Sequence, residues 1–450
     1  MSSLIVEVCT VDDVFDHPKA DRMKIAKVKG WTVCIKHDPD KGESQFAPGD
    51  KCVYFPPDTV IPHTLSDRLG VTKYLGNVSR DAYGNKKEAG RIKVAKLRGY
   101  PSYGLIIECE QDWETGTNVA EYYGASKWEP PMPSNDGEAD VPHPAFHKYY
   151  DMENIRNFPT LFQPGEEVVV TEKIHGMNCR LGLIKDSDKE GNPIWRWMAG
   201  SHDVRRKASS VRTSRFDAND LVESMVLDEP VVEIGQILDN KTGEFWRVDE
   251  LIDTPDERML FRATRVTRIG EELKIPSEFW TYFNTELKRM MMHLSGCGYQ
   301  EDPDGQPVKK RDCHNVVVFG ERYGAGVQKG YWYGHSEGKT NFRAFDITMD
   351  GNYLDFETKM AAFKQFGVDH VPVLFQGPFN FTKMEALATG PSTLSEGPGV
   401  DDALKVGREG VVITSHTEGT AQIGAKFHGR RQLKCINFDY LDRKGGTEYH

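Results

Sequence analysis

A lysine at the end of an apolar run is the residue of this sequence best placed to do chemistry. The run Val168–Val170 predicts a strand, and the chain continues through Lys173 into a turn at Gly176, within the segment EKIHGMN. A strand that ends in a tight turn presents the lysine amine at the mouth of a pocket on a rigid backbone. An exposed lysine has a pKa of about 10.4, so attack by its amine on phosphorus requires desolvation or neighbouring cations. The pattern predicts a lysine nucleophile.

Four further segments follow Lys173 in chain order, and each places a functional group on a strand or at its end. Glu321, in the motif FGERYG, can accept a hydrogen bond from a ribose hydroxyl, and Phe345, in FRAFDI, can stack on a base. Glu409, in REGVVI, can hold a divalent cation, and Lys434, on the basic strand QLKCIN, can bring an ammonium to a phosphate. The five segments together predict a pocket in which a nucleotide becomes attached to Lys173.

The elements that position these residues are predicted to be mainly antiparallel strands with helices packed outside them, an α+β arrangement. One amphipathic helix is predicted over 277–294 with Ser277 as its N-cap, and a second over 356–366, ended by Gly367. The strands of this region are predicted at Val168–Lys173, Asn178–Ile184, Val316–Phe319, Phe342–Ile347 and Gly410–Thr414.

Residues 1–125 have the short strands and frequent turns of a small OB-type β-barrel. Strands are predicted at Leu4–Val8, Met23–Val28 and Lys51–Phe55. A further strand alternates apolar residues with cations, so that one face carries Arg91, Lys93, Lys96 and Arg98. Two interpretations of this face stay open, a nucleic-acid-binding surface and an ordinary solvated strand face.

A proline-rich stretch at 126–148 predicts a linker, followed by a second domain over 149–450. Inside that domain, residues at about 207–310 form a long insertion between the nucleotide motifs, predicted to be helical around the run Met290–Met292. Nothing in the insertion indicates its role.

Bulk composition limits the class of protein. The chain has 450 residues, of which 38% are hydrophobic and 28% charged, enough for two or three cores. It has no run of 18 apolar residues, no secretion signal and no close-spaced cysteine framework, so we expect reduced thiols and no membrane span. The net charge of −11 argues against a general polyanion binder, so nucleic acid would need a local basic surface. We expect a cytoplasmic monomer, in the host cytoplasm if a phage encodes it.

The motifs resemble those of the ATP-dependent RNA ligases in the RNA-ligase-2-like branch of the covalent nucleotidyltransferases. The core EKIHG with Asn178 is typical of that branch, whereas DNA ligases and capping enzymes usually carry Asp in place of His175. The N-terminal barrel resembles the subgroup that places an OB domain before the catalytic domain, and the segment YDMENIR at 150–156 resembles its entry to that domain. The resemblance touches most of residues 1–200 and 310–440.

The resemblance implies ATP and Mg²⁺ or Mn²⁺ as cofactors, and RNA with 3′-OH and 5′-phosphate ends as the partner. Lys173 would carry AMP, Glu321 would bind the ribose, and Phe345 would stack on the adenine. Glu409 would act through the metal ion, and Lys434 would contact the α-phosphate. The resemblance also implies nucleotide contacts for four residues that flank the nucleophile: Glu172, Ile174, His175 and Asn178. Of these, His175 would serve the later steps.

Two motifs depart from the pattern of that family. The arginine of its second motif is assigned to Arg205, with Arg206 and His202 as alternatives. The last motif has Gln432 in place of the first of two lysines, and we expect Lys426 to substitute from an adjacent strand. Because the chain continues only briefly after this motif, we expect the barrel to bind RNA.

The predicted function is therefore an ATP-dependent ligase that seals RNA ends during nick or break repair. One alternative is a degenerate nucleotidyltransferase that serves as an RNA-binding module, which the two departures favour. The other is a DNA ligase or GTP-using capping enzyme on the same scaffold, against which His175 counts.

Overall fold

The structure of the protein is a computed structural model. It describes residues 4–77, 89–128, 138–211, 213–217, 234, 237–239, 244–252, 260–267, 271–272, 274–296, 313–334, 340–396, 400–423 and 427–442. Within these ranges no helix is both long and apolar enough to cross a membrane. The cysteines of the described ranges are free thiols.

The N-terminal region folds into four small antiparallel sheets, with orders β1-β6-β12, β2-β3-β4-β5, β13-β7-β9-β8 and β10-β11. Their strands are β1 Glu7–Thr10, β2 Asp13–Asp16, β3 Met23–Val28, β4 Trp31–Asp38, β5 Glu43–Ser44, β6 Lys51–Phe55, β7 Thr59–Val60, β8 Gly76–Asn77, β9 Ala89–Arg91, β10 Ala95–Leu97, β11 Tyr100–Ser102, β12 Leu105–Glu108 and β13 Ser126–Lys127. Helix α1, His63–Arg68, and a 3₁₀ turn, Thr72–Tyr74, lie between β7 and β8. Two of the three strands predicted here are confirmed as β3 and β6, and the first lies slightly later in the chain than predicted.

The basic strand predicted in the barrel is not one strand. Arg91 ends β9, and Lys96 lies in β10, which belongs to a different sheet. The backbone of Arg98 has φ 49°, in the turn that joins β10 to β11. The prediction was wrong because alternation describes side chains along a continuous strand, whereas the chain here changes sheet between the cations.

The second domain is built on two antiparallel sheets, a four-stranded sheet of order β27-β14-β28-β31 and a six-stranded sheet of order β17-β16-β15-β24-β25-β26. Its strands are β14 Glu167–Lys173, β15 Met177–Ser187, β16 Pro193–Gly200, β17 Arg205–Arg206, β18 Ser209–Val211, β19 Thr213–Asp217, β20 Ile237–Asp239, β21 Phe245–Ile252, β22 Leu260–Val266, β23 Lys274–Pro276, β24 Val316–Gly324, β25 Thr340–Met349, β26 Asn352–Tyr353, β27 Val373–Pro378, β28 Gly410–Ser415, β29 Thr420–Ile423, β30 Phe427–Arg430 and β31 Gln432–Ile436. The five strands predicted in this domain are confirmed, each somewhat longer than predicted.

Four α-helices pack outside these sheets in the described part of the domain: α2 Thr285–Ser295, α3 Phe356–Phe366, α4 Phe381–Ala388 and α5 Phe438–Leu441, with 3₁₀ turns at Glu278–Tyr282, Thr393–Ser395 and Asp402–Leu404. Helix α3 is confirmed, with Gly367 in the left-handed conformation after it. The single helix predicted over 277–294 is wrong in its first part, which is a 3₁₀ turn. The α-helix begins after Asn284, whose side chain caps it by accepting from the Leu287 amide.

Much of the predicted insertion lies outside the described residues. Its described part is mainly strand, with a four-stranded sheet of order β19-β22-β21-β20 and the pair β18-β23, next to the single long helix α2. The methionines of α2 are buried against β15, β16 and β24, so this helix covers the outer face of the six-stranded sheet.

The described ends of the segment predicted as a linker belong to folded units. Strand β13 pairs with β7 of the barrel. On the other side, Phe146 is buried in the second domain, and its carbonyl accepts a hydrogen bond of 2.9 Å from Arg180. The two domains also share a hydrophobic cluster, in which Trp31 and Tyr103 of the barrel pack with Tyr440 and Leu441 of α5.

Candidate active site

A cavity of about 560 Å³ lies between the two sheets of the second domain. It is lined by nine of the residues that the sequence predicted for the nucleotide site: Glu172, Lys173, Ile174, His175, Asn178, Glu321, Phe345, Glu409 and Lys434. Residues that are up to 262 positions apart therefore meet in one place, in the predicted combination of a lysine, carboxylates and an aromatic ring.

Lys173 lies at the end of β14, where it pairs with Gly410 at the start of β28. This register brings the neighbouring Glu409 beside the lysine, and Lys173 Nζ donates a hydrogen bond of 2.6 Å to Glu409 Oε1. Gly410 allows β28 to lie close to β31, because a Cβ there would lie 2.3 Å from the Cys435 carbonyl oxygen. Lys173 is therefore in direct contact with a buried carboxylate.

The turn after Lys173 is clamped from the loop that follows β24. Tyr333 Oη accepts a hydrogen bond of 2.7 Å from the His175 amide and lies 3.2 Å from the His175 carbonyl oxygen. Gln328 Nε2 donates a hydrogen bond of 2.7 Å to the Gly176 carbonyl oxygen. Burial, and after it the charge of Glu409, raise the pKa of Tyr333 well above its ordinary value, so its hydroxyl stays protonated. The turn that follows Lys173 is therefore held in place by side chains of this loop.

Gly176 is the tightest point of this turn. A Cβ at this position would lie 2.1 Å from the Arg322 carbonyl oxygen, which no side chain could tolerate. The glycine in the motif EKIHG is thus explained by close approach between the turn and β24.

The His175 ring faces the second oxygen of Glu409. His175 Nδ1 lies 3.4 Å from Glu409 Oε2 and 2.9 Å from the hydroxyl of Tyr440. Glu409 is 2% exposed, and its Oε2 has no hydrogen bond to any described residue. A buried carboxylate oxygen without a donor is expected to have a ligand, and a divalent cation is the ligand that suits it.

Glu172 does not share that role. Its carboxylate accepts hydrogen bonds from Ser392 Oγ and from both the amide and the hydroxyl of Thr393. Arg408 Nε lies 3.6 Å from the same carboxylate. These contacts fix the end of β14, next to Lys173.

Asn178 and Glu321 face each other on β15 and β24. The Asn178 side-chain oxygen is buried and has no hydrogen bond within the described part of the chain. Both residues line the cavity, where their oxygens can accept hydrogen bonds from a ribose or from a metal-bound water.

Phe345 reaches the cavity because of a β-bulge. Phe319 pairs with Asp346 and Gly320 with Ala344, which leaves Phe345 as the extra residue of β25. A bulge changes the direction in which a side chain points, and here it directs an aromatic ring into the cavity.

The wall behind Phe345 is a buried ionic cluster. Asp346, which is 0% exposed, accepts hydrogen bonds of 2.9 Å from Lys359 and 2.7 Å from Arg430. Burial alone would raise the pKa of Asp346, but Lys359 and Arg430 outweigh it and hold the pKa below the ordinary value of 3.8. Tyr149 Oη lies 2.9 Å from Asp346 Oδ2 and 2.9 Å from Gln432 Oε1, so it joins this cluster to Gln432.

The side chain of Gln432 is fixed by hydrogen bonds to this network. Its side-chain oxygen also accepts from Tyr150, and its amide donates 2.9 Å to Thr414. Lys434, two residues on and 9% exposed, lines the cavity from the same strand. The last motif therefore supplies one lysine to the cavity, and Lys426, its expected substitute, lies outside the described residues.

Arg205 is not among the residues that line the cavity. Its guanidinium pairs with Asp140 at 2.9 Å and donates 3.0 Å to the Val141 carbonyl. Arg206 pairs with Glu138 in the same way. Of the three residues considered for the second motif, only His202 lines the cavity. The alignment shift that would place Arg205 or Arg206 in the cavity therefore does not occur.

The predicted basic residues of the barrel divide into two kinds. Arg91 pairs with Asp58 at 2.6 Å, and its guanidinium lies 3.3 Å from the centre of the Trp128 ring. Lys93, Lys96 and Arg98 are exposed. Arg91 is thus held inside the barrel, while the three others present charge to solvent.

Three tyrosines and a glutamine of the site were missed in the sequence: Gln328, Tyr331, Tyr333 and Tyr440. The segment QKGYWYG has no strand or helix periodicity, although its glycines mark it as a turn. The only available signal was the density of aromatic and polar residues so soon after the FGERYG motif.

Comparison with known proteins identifies the class to which this fold and site belong. The sequence matches the RNA ligase family over residues 166–435 and an OB-fold domain over residues 5–109. The first match covers more than half of the chain, so the protein belongs to the RNA ligase family and is an enzyme of the ligase class. No curated protein matched the sequence.

Solved structures of Naegleria gruberi RNA ligase have a similar fold. A mutant of that ligase with ATP and Mn is 20% identical, with a TM-score of 0.58 over 98% of this chain and 100% of the other. The form with PPi is 20% identical, with a TM-score of 0.57 over 98% of both chains. A mutant with AMP and Mn is 19% identical, with a TM-score of 0.59 over 99% of this chain and 100% of the other. The similarity covers both domains.

Proposed function

We propose that this protein is an ATP-dependent RNA ligase that joins a 3′-OH end to a 5′-phosphate end through a lysyl-AMP intermediate. The observation that carries this proposal is the contact between Lys173 and Glu409 in a cavity that also holds Lys434. An amine, a carboxylate with an unused oxygen and a second cation are the groups needed for nucleotidyl transfer. The ATP, AMP and Mn in the Naegleria gruberi structures support the choice of nucleotide and cation.

Nucleotide binding would use groups from both sheets. Phe345 and Val412 line the cavity from different sheets, and the adenine would lie between them, stacked on the Phe345 ring. Glu321 and Asn178 would accept hydrogen bonds from the ribose and its surroundings. Lys434 would lie against the α-phosphate and offset its charge.

In the first step, Lys173 Nζ attacks the α-phosphorus and loses a proton. The new N–P bond replaces the bond between the α-phosphorus and its bridging oxygen, and pyrophosphate leaves. The hydrogen bond to Glu409 must be broken first, because the amine attacks only as a neutral group. The Lys173 amine would be released when the Glu409 carboxylate interacts with another cation instead.

Glu409 would hold a divalent cation through its second oxygen, Oε2, with the phosphates of the substrate completing the coordination. Within the described residues there is no group of three or more His, Cys, Asp or Glu that could hold a metal ion by itself. A single carboxylate plus substrate phosphates is a common arrangement for Mg²⁺. When bound, the cation would neutralise charge on the phosphates.

In the later steps, a 5′-phosphate oxygen attacks the lysyl-AMP phosphorus, and Lys173 leaves. The 3′-OH then attacks the capped 5′-phosphorus, and AMP leaves as the new phosphodiester forms. His175 would serve these steps. Exposed Lys96 and Arg98 of the barrel would contact the RNA backbone. Repair of nicks or breaks is the setting we propose.

The proposal is tested by incubating the protein with Mg²⁺ and α-labelled ATP or GTP, followed by denaturing electrophoresis and peptide mapping. The expected result is AMP on Lys173, with ATP only. Lys173→Ala and Lys173→Arg should both abolish labelling, because arginine keeps the charge but cannot act as the neutral amine. Lys185→Ala, at an exposed position on β15, is the matched control and should label normally.

Labelling that persists in Lys173→Ala would exclude this lysine as the nucleophile. If the wild-type protein is not labelled with either nucleotide but binds RNA, the RNA-binding module is the better account. If it is labelled by GTP, a capping-type reaction replaces ligation. A labelled protein is then given a nicked RNA duplex, and failure to seal it would exclude RNA ligation.

A further inference from the structure

The last described helix of the chain, α5, lies between the barrel and the active site. Its Leu441 and Tyr440 are 1% and 3% exposed and pack in one cluster with Trp31 of the barrel. The ring of Phe438, at the start of α5, contacts Trp31 edge-on at 5.9 Å. The Tyr103 hydroxyl of the barrel also bonds Asp442, directly after the helix. The barrel therefore fixes α5 by apolar packing and by a hydrogen bond.

Tyr440 connects this interface to the cavity within one side chain. Its ring is buried in the barrel contact, yet the residue lines the cavity and its hydroxyl lies 2.9 Å from His175 Nδ1. The rings of the two residues meet edge-on, with centres 5.1 Å apart. A displacement of α5 would therefore reach His175 directly.

The backbone of His175 is already fixed by Tyr333, so only its ring can change orientation. Two oxygens flank Nδ1, the hydroxyl of Tyr440 at 2.9 Å and Glu409 Oε2 at 3.4 Å. A carboxylate can only accept, whereas a tyrosine hydroxyl can accept or donate. The Tyr331 ring also packs edge-on against the His175 ring, with centres 4.5 Å apart. Of the two oxygens, the Tyr440 hydroxyl is the nearer to Nδ1, so Tyr440 helps to determine where Nδ1 points.

We propose that Tyr440 is a positioning residue for ligation, and that the docked barrel, through Tyr440, holds the His175 ring against Glu409. This inference rests on the proposed function, because it assigns Tyr440 an effect on the steps in which His175 serves. Tyr440 itself acts through His175. The barrel would accordingly have a second role besides RNA contact, which is to hold part of the active site.

The test compares Tyr440→Phe, His175→Ala and the double variant. The measured rate is the sealing of a nicked RNA duplex whose 5′-phosphate already carries AMP, in Mg²⁺, with lysyl-AMP formation measured separately. Tyr440→Phe should lower the sealing rate about tenfold, the size of one lost hydrogen bond. In the His175→Ala background the same change should have no further effect, because the pair acts as one unit.

Tyr103→Phe is the matched control. It also removes one hydroxyl from the contact between barrel and α5, but that hydroxyl bonds Asp442 and does not touch His175. It should lower the unfolding temperature but reduce the sealing rate much less than Tyr440→Phe does, because the apolar packing against Trp31 still holds α5. If Tyr440→Phe does not fold, Tyr440→Met, which keeps flexible apolar volume in the interface, takes its place.

Wild-type sealing in Tyr440→Phe, or an effect that adds fully to that of His175→Ala, would overturn the inference. An equal loss of rate in Tyr103→Phe would overturn it as well, because interface stability would then explain both. Failure of the proposed function gives a different pattern, in which the wild-type protein itself neither forms lysyl-AMP nor seals the duplex.

Discussion

The cavity of the second domain and the basic surface of the barrel were predicted by the same kind of sequence pattern, but the structure treats them differently. In the cavity, nine predicted residues from distant segments meet. In the barrel, four predicted cations from a single short segment are separated, and one of them, Arg91, is paired inside. Residues that are close in sequence therefore did not form a common surface, whereas residues chosen by chemical type and by order along the chain did form a common site.

The difference has a physical cause. Six of the nine cavity residues lie on strands of 5 to 11 residues, and the other three lie within two residues of such a strand. The register of these strands is set by paired neighbours, which fixes the face to which each side chain points. The barrel segment consists of two strands of three residues each, β9 and β10, with three residues between them. Short strands are weakly specified, and the chain can change sheet without loss of a large core.

Substitution of Glu409 should have the largest effect among the tests that compare the cavity with the basic surface of the barrel. Glu409→Gln keeps an acceptor for Lys173 but removes the charge that would hold the cation. We expect lysyl-AMP formation to fall by about 100-fold or more, in line with the loss of a major electrostatic group. Glu357→Gln, an exposed carboxylate on α3, should retain wild-type labelling. Unimpaired labelling and sealing by Glu409→Gln would remove Glu409 from the site.

The second effect concerns the bulge that turns Phe345 inward. Phe345→Leu should raise the KM for ATP by roughly 5- to 150-fold, the cost of one stacked base. Phe342→Leu, on the same strand but stacked on Tyr282 at 5.6 Å, should alter stability and leave the KM unchanged. Steady-state labelling at varied ATP checks both variants. Equal KM changes in the two would mean that the bulge does not present a base platform.

The third effect tests the wall of the cavity through acid unfolding. Because the pKa of Asp346 is lowered in the folded state, its contribution to stability is present above the unfolded pKa and is lost as pH falls through the folded value. Asp346→Asn should cost about 3 kcal/mol at neutral pH, since it leaves Lys359 buried without its carboxylate partner and Arg430 with Glu418 as its remaining one.

Below pH 4 the gap between Asp346→Asn and the wild-type protein should narrow. Urea unfolding at several pH values measures it. A gap that is constant from pH 7 to pH 3 would show that the charge of Asp346 does not contribute.

The smallest effect belongs to the barrel. The double variant Lys96→Ala, Arg98→Ala should weaken RNA binding and reduce the slope of log K against log salt by about 0.7 per cation. Arg91→Ala should leave that slope unchanged but lower the unfolding temperature, because Arg91 pairs with Asp58 and Trp128. If instead Arg91→Ala alters the slope, the four residues form one RNA surface after all.

Much of the site could be predicted because its chemistry is carried by residue types with few other uses in such an order. Lys173, Glu321 and Glu409 were identified from their residue types, their positions at strand ends and their order along the chain, and the register of the sheets brings them together. Tyr333 and Tyr440 could not be found in this way, because they come from a loop and from a four-residue helix without periodicity. Gln432 was recognised as a departure, but the hydrogen-bond network that fixes its side chain depends on Tyr149, far away in the chain.

The position of α5 also bears on modularity. The barrel and the second domain can be told apart by sequence, and a boundary near residue 128 would be the obvious place to cut. Such a cut would uncover Ile436, Tyr440 and Leu441, which belong to the same hydrophobic cluster as the barrel interior. The isolated second domain would then carry an exposed apolar patch next to its own active site. The chain is therefore better regarded as one folding unit with two recognisable halves, and a minimal enzyme obtained by truncation would need a replacement for the surface that the barrel now provides.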